Sequence, residues 1–394
     1  MSVKQSLNSS PTPGLAGSIL PEWPARPHRQ ETCLVGVLPG EGIGPEVIAA
    51  SLALLRTITA HTRYRFEVRT GGKIGLEAQR ESGRTLTPQV MGFCEEIFAG
   101  GGALLCGPGG GRFVYELRAQ FDLFCKLVPL VPLASLGHAG VLRAEARRDV
   151  DMLVVRENAG GLYLGEFGTE ATPGGVRAWH RFHYDERQVA RILRVAIAAA
   201  RARRGRLCVV TKPAGIPDIS ALWERTARAL VADSGVALRI LEVDTACYQV
   251  LAEAQRFDVI AAPNMFGDVL ADVAGILLGS RGVTFSANFS PRGCAVYQTG
   301  HGAAYDLAGA DEANPVGQMQ SLAMMLAETF GLPEIAVQVI DAINDTLTAG
   351  WRTPDLLEPG CRRVGTAQFA ERVAAALAAR LAPVESAAAA GGSE

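Results

Sequence analysis

Two aspartates, Asp268 and Asp272, stand four residues apart in PNMFGDVLADVAG, a run that is otherwise small and apolar. On a helix that spacing puts both carboxylates on one face. Like charges repel there, so either the face is solvated or the pair is aimed at one cation. Two carboxylates with no histidine or cysteine ligand favour hard Mg²⁺ or Mn²⁺ over zinc. Other polar groups close apolar strands: Arg156 in VVREN, with Tyr163 in the glycine-flanked turn behind it, Lys212 in LCVVTK and Asp244 in LEVD. A lysine at the carboxyl end of a parallel strand is usually solvated, but a partly desolvated one loses pKa and can act as a base.

LPGEGIGPEV at 38–47 reads as a strand end, a glycine-rich turn and a proline-started helix, a geometry that lets a ligand approach the backbone closely. It is not the GxGxxG of a Rossmann unit. HGAAYDLAGADEANP at 301–315 is a loop of small residues before a helix, and its Asp306 is of the type that accepts from ribose hydroxyls and repels a 2′-phosphate. The histidines of HRFH at 180–183 would point to opposite faces of an alternating strand, which argues against a metal site there.

The elements that must position these groups alternate. CLVGVLPG, YRFEVRTGG and GALLCGPGG read as strands around the helices GPEVIAASLALLRTI and TPQVMGFCEEIFAG, the pattern of parallel strands with crossover helices. A second series follows, with VDMLVVREN as a strand, AWHRFHY as an alternating edge strand, a long helix over ERQVARILRVAIAAARARR, and RLCVVTK, ALRILEVD and RFDVIAAPN as strands. The middle of the chain is therefore expected to form its own α/β unit. Helical periodicity returns over 315–349 and 366–384.

The 394 residues carry 38 basic and 40 acidic side chains, and the longest basic cluster, RARRGR, is too short for a nucleic-acid footprint. No stretch has the uninterrupted apolar length of a membrane span. The eight cysteines lack CxxC spacing and read as buried thiols of a reducing, cytoplasmic compartment. The first thirty residues, with five prolines and no apolar core, read as a disordered extension, and 386–394 as a frayed tail.

Taken in order, these segments resemble the isocitrate/isopropylmalate dehydrogenase family over about residues 33–380. The family's LPGDGIGPEV is similar to LPGEGIGPEV, its LRKxxDLYANLRP to LRAQFDLFCKLVP, its VREN(T/S)xGxYxG to VRENAGGLYLG and its VDKAN to VTKPA. Its YVDA is similar to EVDT, its NxFGDxxSD to NMFGDVLAD, and its HGSAPDIAGxxxANP to HGAAYDLAGADEANP. The resemblance implies an α/β, isopropylmalate dehydrogenase-like fold: two domains with parallel or mixed sheets, 31–123 plus 279–385 on the cofactor side and 124–278 for dimerisation, metal and substrate. It further implies a homodimer with shared active sites, NAD as cofactor and a small 2-hydroxy acid as substrate. Asp268 and Asp272 would be metal ligands, joined by Asp244 of the neighbouring subunit. Lys212, also donated across the dimer, would relay the base's proton, and Tyr163 would donate a proton. Arg118 and Arg156 would grip carboxylate, while Ile43, His301, Gly302, Ala303, Asp306 and Asn314 would hold NAD.

Departures from the family pattern concern the substrate. Val128 stands at one of its three substrate arginines, and Lys126 at the asparagine two positions earlier. Val114 and Tyr115 make the pocket for the C3 substituent apolar or aromatic, and Ala214, Gln298 and Tyr305 also differ from the pattern. The expected reaction is oxidative decarboxylation of a 3-substituted malate, by a relative specialised away from 3-isopropylmalate. The alternative is a non-catalytic or regulatory homologue that binds nucleotide or acid.

Overall fold

Buried apolar residues recur at helical spacing after the first strand, and a proline starts that helix without loss of a needed donor. The computed structural model describes residues 31–382; the extension expected over 1–30 and the tail over 386–394 lie outside the described residues. The chain begins with β1 (Thr32–Leu38), α1 (Gly44–His61), β2 (Arg65–Thr70), α2 (Gly75–Ser82), α3 (Pro88–Ala99), β3 (Ala103–Cys106) and α4 (Phe113–Phe121). Its middle holds β4 (Cys125–Leu130), the single turn α5 (Ala144–Arg147), β5 (Met152–Glu157), a hairpin of β6 (Glu166–Thr172) and β7 (Gly175–Arg181), α6 (Glu186–Ala202), β8 (Arg206–Thr211), α7 (Pro217–Val231), β9 (Ala237–Glu242), α8 (Val243–Ala252), β10 (Val259–Ala262) and α9 (Asn264–Gly275). It closes with β11 (Phe285–Phe289), β12 (Ala295–Thr299), α10 (Val316–Glu328), α11 (Pro333–Thr348), the short β13 (Trp351–Arg352) and β14 (Arg362–Arg363), and α12 (Thr366–Leu381).

The expected alternation is present, but the middle of the chain does not make a sheet of its own. Ten strands form one continuous mixed sheet in the order β2-β1-β3-β12-β11-β4-β5-β10-β8-β9. Strands from 31–123 and 279–385 fill one half, and those from 124–278 fill the other. The halves meet at β11 and β4, which pair antiparallel with each other and with their outer neighbours β12 and β5. Three successive reversals make the parallel set β1-β3-β12 run opposite to β5-β10-β8-β9. The carboxyl ends of the two sets therefore lie on opposite edges, and a site shared by both halves must open over the sheet face at the seam.

AWHRFHY is not an edge strand of this sheet. Its first part belongs to β7, which pairs only with β6, and every residue of β7 is exposed in the chain. The alternation that suggests one buried face finds no layer to cover it here.

Helix α6 is entered through a reciprocal cap, Asp185 accepting from the Gln188 amide at 2.8 Å while the Gln188 side chain accepts from Asp185 N at 3.0 Å. Helices α10, α11, α12 and α1 pack in succession beside the first half of the sheet. Six of the eight cysteines are buried, Cys247 and Cys361 are half-buried, and none is in a disulfide. Among the described residues no helix is long and apolar enough to cross a membrane.

Candidate functional site

Arg156 anchors the site. It closes β5 and is only 1% exposed. Its Nε and Nη2 donate to Oδ1 of Asn264 at 3.0 and 2.7 Å, and its Nη1 pairs with Asp268. Both partners come from α9, which approaches this closely because residue 267 is glycine: a Cβ there would sit 2.9 Å from Cγ of Arg156. The Tyr163 hydroxyl donates to Asp268, and its ring lies 5.7 Å from the guanidinium of Arg156. Burial, then the Asp268 charge and this hydrogen bond, push the phenol up to about 12. For Asp268 burial acts to raise the pKa, but Arg156, Lys126 and Arg118 outweigh it and the carboxylate is held below its usual value.

Helix α4 closes one side of the same cleft. Arg118, 5% exposed, lies over the Tyr115 ring at 5.4 Å, and Tyr115 meets Tyr163 with ring centroids 5.5 Å apart. Burial and the nearby Arg156 pull the Arg118 pKa down to about 9. Lys126 pairs directly with Arg156 across β4 and β5, so both side chains leave the same face of the sheet. The segment is extended, which also places Val128 on that face, one pleat along. Burial, with Arg156 and Arg118 adding to it, brings the Lys126 ammonium down to about 7.

A cleft of about 230 Å³ is lined by Val114, Tyr115, Arg118, Arg156, Asp268 and Asp272, with Arg281, Gln298, His301 and Gly302 on its far side. Asp268 and Asp272 do share a face of α9, but each already faces a cation: Asp272 pairs with Arg281 at 2.7 Å. Lys212 and Asp244 do not line this cleft. They close β8 and open α8, beyond β10 from Arg156, where Nζ of Lys212 meets Glu242 at 2.6 Å and Asp244 at 3.0 Å. These bonds, Glu242 first, raise the pKa of Lys212, opposite to the fall that desolvation alone would cause. Among the described residues no three carboxylate, histidine or cysteine groups gather to hold a metal. The two α9 carboxylates are hard donors that suit Mg²⁺ or Mn²⁺, and they lack a third.

The other lobe brings Ile43 to the loop that carries His301, Gly302 and Ala303. The turn after β1 docks on the loop after β12 through Ile43 N–H to the Ala303 carbonyl at 2.9 Å. Residue 42 must be glycine, since its φ is +58° and a Cβ would collide with that carbonyl. Gly302 faces open space, and the buried Nε2 of His301 has no partner, so one polar atom at the cleft rim is left for a ligand. Asp306 is exposed. Asn314 is buried, and its side chain is engaged in the protein: Nδ2 donates to Asp355 at 2.9 Å and Oδ1 accepts from Val316 N at 3.0 Å.

Several contributors escape sequence reasoning. Asn264, Arg281 and Glu242 satisfy the candidate residues directly, yet each is an ordinary polar residue in its own segment. Glu41 is a further one, 4% exposed and taking N–H donors from Gly110 at 2.8 Å and Leu76 at 3.0 Å, with Glu77 N–H and the Tyr305 hydroxyl completing its shell. The signal available for it was its place inside the glycine-rich turn.

Comparison with known proteins bears on this arrangement. The sequence profile of the family described as isocitrate/isopropylmalate dehydrogenase matches residues 34–373. The chain is 37% identical over 360 residues to a 3-isopropylmalate dehydrogenase of Synechococcus elongatus, covering 87% of this chain and 97% of that protein. It is 35% identical over 360 residues to the 3-isopropylmalate dehydrogenase of Bacillus licheniformis, covering 87% and 95%. Among solved structures, an isocitrate dehydrogenase from Methylococcus capsulatus superposes with a TM-score of 0.78 at 27% identity, over 88% of this chain and 99% of that one.

Proposed function

Since the chain belongs to the isocitrate/isopropylmalate dehydrogenase family and is an enzyme of that type, a decarboxylating hydroxy-acid dehydrogenase, we propose the finer reading that it is a homodimer using NAD and Mg²⁺ or Mn²⁺ to decarboxylate a 3-substituted malate oxidatively. One observation carries this reading. Arg118 and Arg156 are buried cations in the cleft that also holds Asp268 and Asp272, and the Tyr163 hydroxyl donates to Asp268, a set suited to an anionic acid whose carbon must be reprotonated.

In this reading Arg118 and Arg156 orient the carboxylate on C3 so that the C2 hydrogen faces the loop at His301–Ala303. Lys212 of a second copy takes the hydroxyl proton as hydride leaves C2, which yields a β-keto acid. The bond from C3 to its carboxylate then breaks, CO₂ departs with the electron pair left on the enolate, and Tyr163 returns a proton to C3. A divalent cation held by Asp268, Asp272 and Asp244 of the second copy would supply Lewis-acid polarisation of the hydroxyl and keto oxygens. NAD, held by Ile43, His301, Gly302, Ala303, Asp306 and Asn314, would supply the hydride acceptor, and the exposed Asp306 favours a free ribose hydroxyl over a 2′-phosphate. The two halves of the sheet act as two domains in this scheme, with 31–123 plus 279–385 on the cofactor side and 124–278 on the dimer side.

The test is reduction of NAD by purified protein with Mn²⁺ or Mg²⁺ across malate, tartrate, isocitrate, homoisocitrate, 3-isopropylmalate and aryl-substituted malates, with Lys212→Ala as control. Metal-dependent turnover that vanishes in the control is the expected result. Silence across the panel in protein that still binds NAD and metal would overturn the reading. Turnover of 3-isopropylmalate far above every analogue would overturn the specialisation.

A further inference from the structure

The loop that carries His301 and Gly302 holds a strained residue between two ties. Ala304 has φ +39°, in the left-handed region where a Cβ crowds the backbone. Among the described residues the other non-glycine positions of this kind are all aspartates, which tolerate it better. An alanine stays in such a conformation only where its neighbours leave it no other. On one side the Ala303 carbonyl accepts from Ile43 N–H at 2.9 Å, and on the other the Tyr305 hydroxyl donates to Oε2 of Glu41 at 3.0 Å. Glu41 is a fixed post because it is buried and its carboxylate also takes the N–H groups of Gly110, Leu76 and Glu77. Two glycines keep room for the bond. A Cβ on Gly110 would lie 2.6 Å from the Tyr305 hydroxyl oxygen, and one on Gly75 would collide with Oε2 of Glu41. The departures at Glu41 and Tyr305 from the LPGD and HGSAP of the family pattern therefore meet in one hydrogen bond.

We propose that Tyr305 is a positioning residue for the nucleotide: its bond to Glu41 holds residues 301–306 in the shape that NAD binds before NAD arrives. The inference rests on the proposed NAD reading and adds to it a residue that the family pattern does not supply. The atoms left for a ligand in this loop are those the two ties do not use. Gly302 faces open space, the buried Nε2 of His301 has no partner, and Asp306, next to Tyr305, is exposed. A ligand that meets a loop already in shape is spared the ordering cost that a free loop pays at that moment. Without the phenolic hydroxyl one of the two ties is gone, Ala304 relaxes toward negative φ, and Asp306 no longer keeps its place relative to His301. The Tyr305 ring is half-exposed and contributes little to the core, so this tie organises the loop more than the fold.

Tyr305→Phe keeps the ring and removes only the hydroxyl. Calorimetric titration of the full chain with NAD, without metal or hydroxy acid, reads the effect: Kd rises roughly 3- to 12-fold, the equivalent of one hydrogen bond. At saturating NAD the KM for the best hydroxy acid stays within about twofold of the parent, because the acid does not use this loop. Ala304→Gly in the Tyr305→Phe background recovers part of the NAD affinity, since glycine takes φ +39° without steric cost. A tyrosine that only stabilised the fold would not be rescued in this way by its backbone neighbour. Equal NAD affinity in parent and Tyr305→Phe, no recovery with the added glycine, or a parallel rise in KM for the hydroxy acid overturns the proposal and leaves the dehydrogenase reading in place. Tighter NAD binding by Tyr305→Phe also overturns it, because the tyrosine would then be an obstacle that NAD must displace. A parent that binds no NAD, with or without Mn²⁺ and malate, overturns the NAD reading and this inference together.

Discussion

The hydroxyl of Tyr305 donates to Oε2 of Glu41 at 3.0 Å, and through that carboxylate the loop after β12 is tied to the loop after β3 and to the first turn of α2. Burial acts to raise the Glu41 pKa, but the N–H donors of Gly110, Glu77 and Leu76 and the Tyr305 hydroxyl outweigh it and hold it below the usual value. A depressed folded pKa gives stability that is present above the unfolded value and is lost as pH falls through the folded one. Glu41→Gln turns one acceptor into a donor facing donors, so it should cost about 1.5–3 kcal/mol at neutral pH. Denaturant unfolding at pH 7 and again below the ordinary carboxylate range checks this: the gap between parent and variant closes on acidification. A gap independent of pH would show that the charge of Glu41 is not what the donors need.

Asn264 receives two of the hydrogen bonds of Arg156, at 3.0 and 2.7 Å, and its own amide donates to the Gly160 carbonyl at 2.7 Å. Asn264→Ala leaves a buried guanidinium short of an acceptor, with Asp268 as its remaining side-chain partner. The expected loss is about 1–3 kcal/mol of unfolding free energy, with a rise in KM for the hydroxy acid. Asn264→Asp, which supplies an acceptor of the opposite charge, should lose less stability than the alanine variant does. Chemical denaturation of the three proteins side by side gives the order.

Much of this fold was legible because periodicity reports burial. The segments before α1, α7 and α9 run apolar as buried strands do, and α6 shows its long apolar face. The seam was not legible. Strand β4 contains Pro129 and is flanked by other apolar residues, and β11 is five residues long, so neither has a distinctive period. The reversal of strand direction they produce is a property of pairing, which no window along the chain contains. The site divides in the same way. Asp268 and Asp272 share a helix face at a spacing that can be counted, whereas Arg156 and Asn264 meet across 108 positions. Lys212 was legible as a strand-end amine, but its Glu242 partner, which reverses the expected pKa shift, lies on the next strand.

Tyr163 gives a prediction with a definite sign. Burial and the negative charge of Asp268 push its phenol up to about 12, so it keeps its proton throughout the range in which turnover is measured. A proton donor held in this way does not produce an alkaline limb near the ordinary phenol value of about 10. Tyr163→Phe removes the transferable proton while keeping the ring that packs on Tyr115, and kcat should fall roughly 10²- to 10⁴-fold with KM little altered. The pH profile of kcat for the parent and single-turnover kinetics of the variant are the measurements. A basic limb in the parent at about 10 that disappears in the phenylalanine variant would assign the titration to this phenol and contradict its burial.

The separation of Lys212 and Asp244 from the cleft gives the sharpest test of the proposed dimer. Within one chain the pair faces Glu242 beyond β10, while Asp268 lies against Arg156. Chemistry that needs Lys212 and Asp268 at one substrate must therefore draw them from two copies. Lys212→Ala and Asp268→Asn homodimers are each expected to be inactive. When the two are mixed and allowed to exchange subunits, a heterodimer holds one site with both defects and one site with neither. Activity should reappear, approaching about a quarter of the parent value when half the dimers are mixed and each keeps one intact site. Two altered proteins that regain activity only after exchange place the lysine and the aspartate on opposite sides of an interface. Mixtures that remain inactive after exchange, verified by mass measurement of the heterodimer, would put both groups in a single chain and require α8 to move toward α9 on binding.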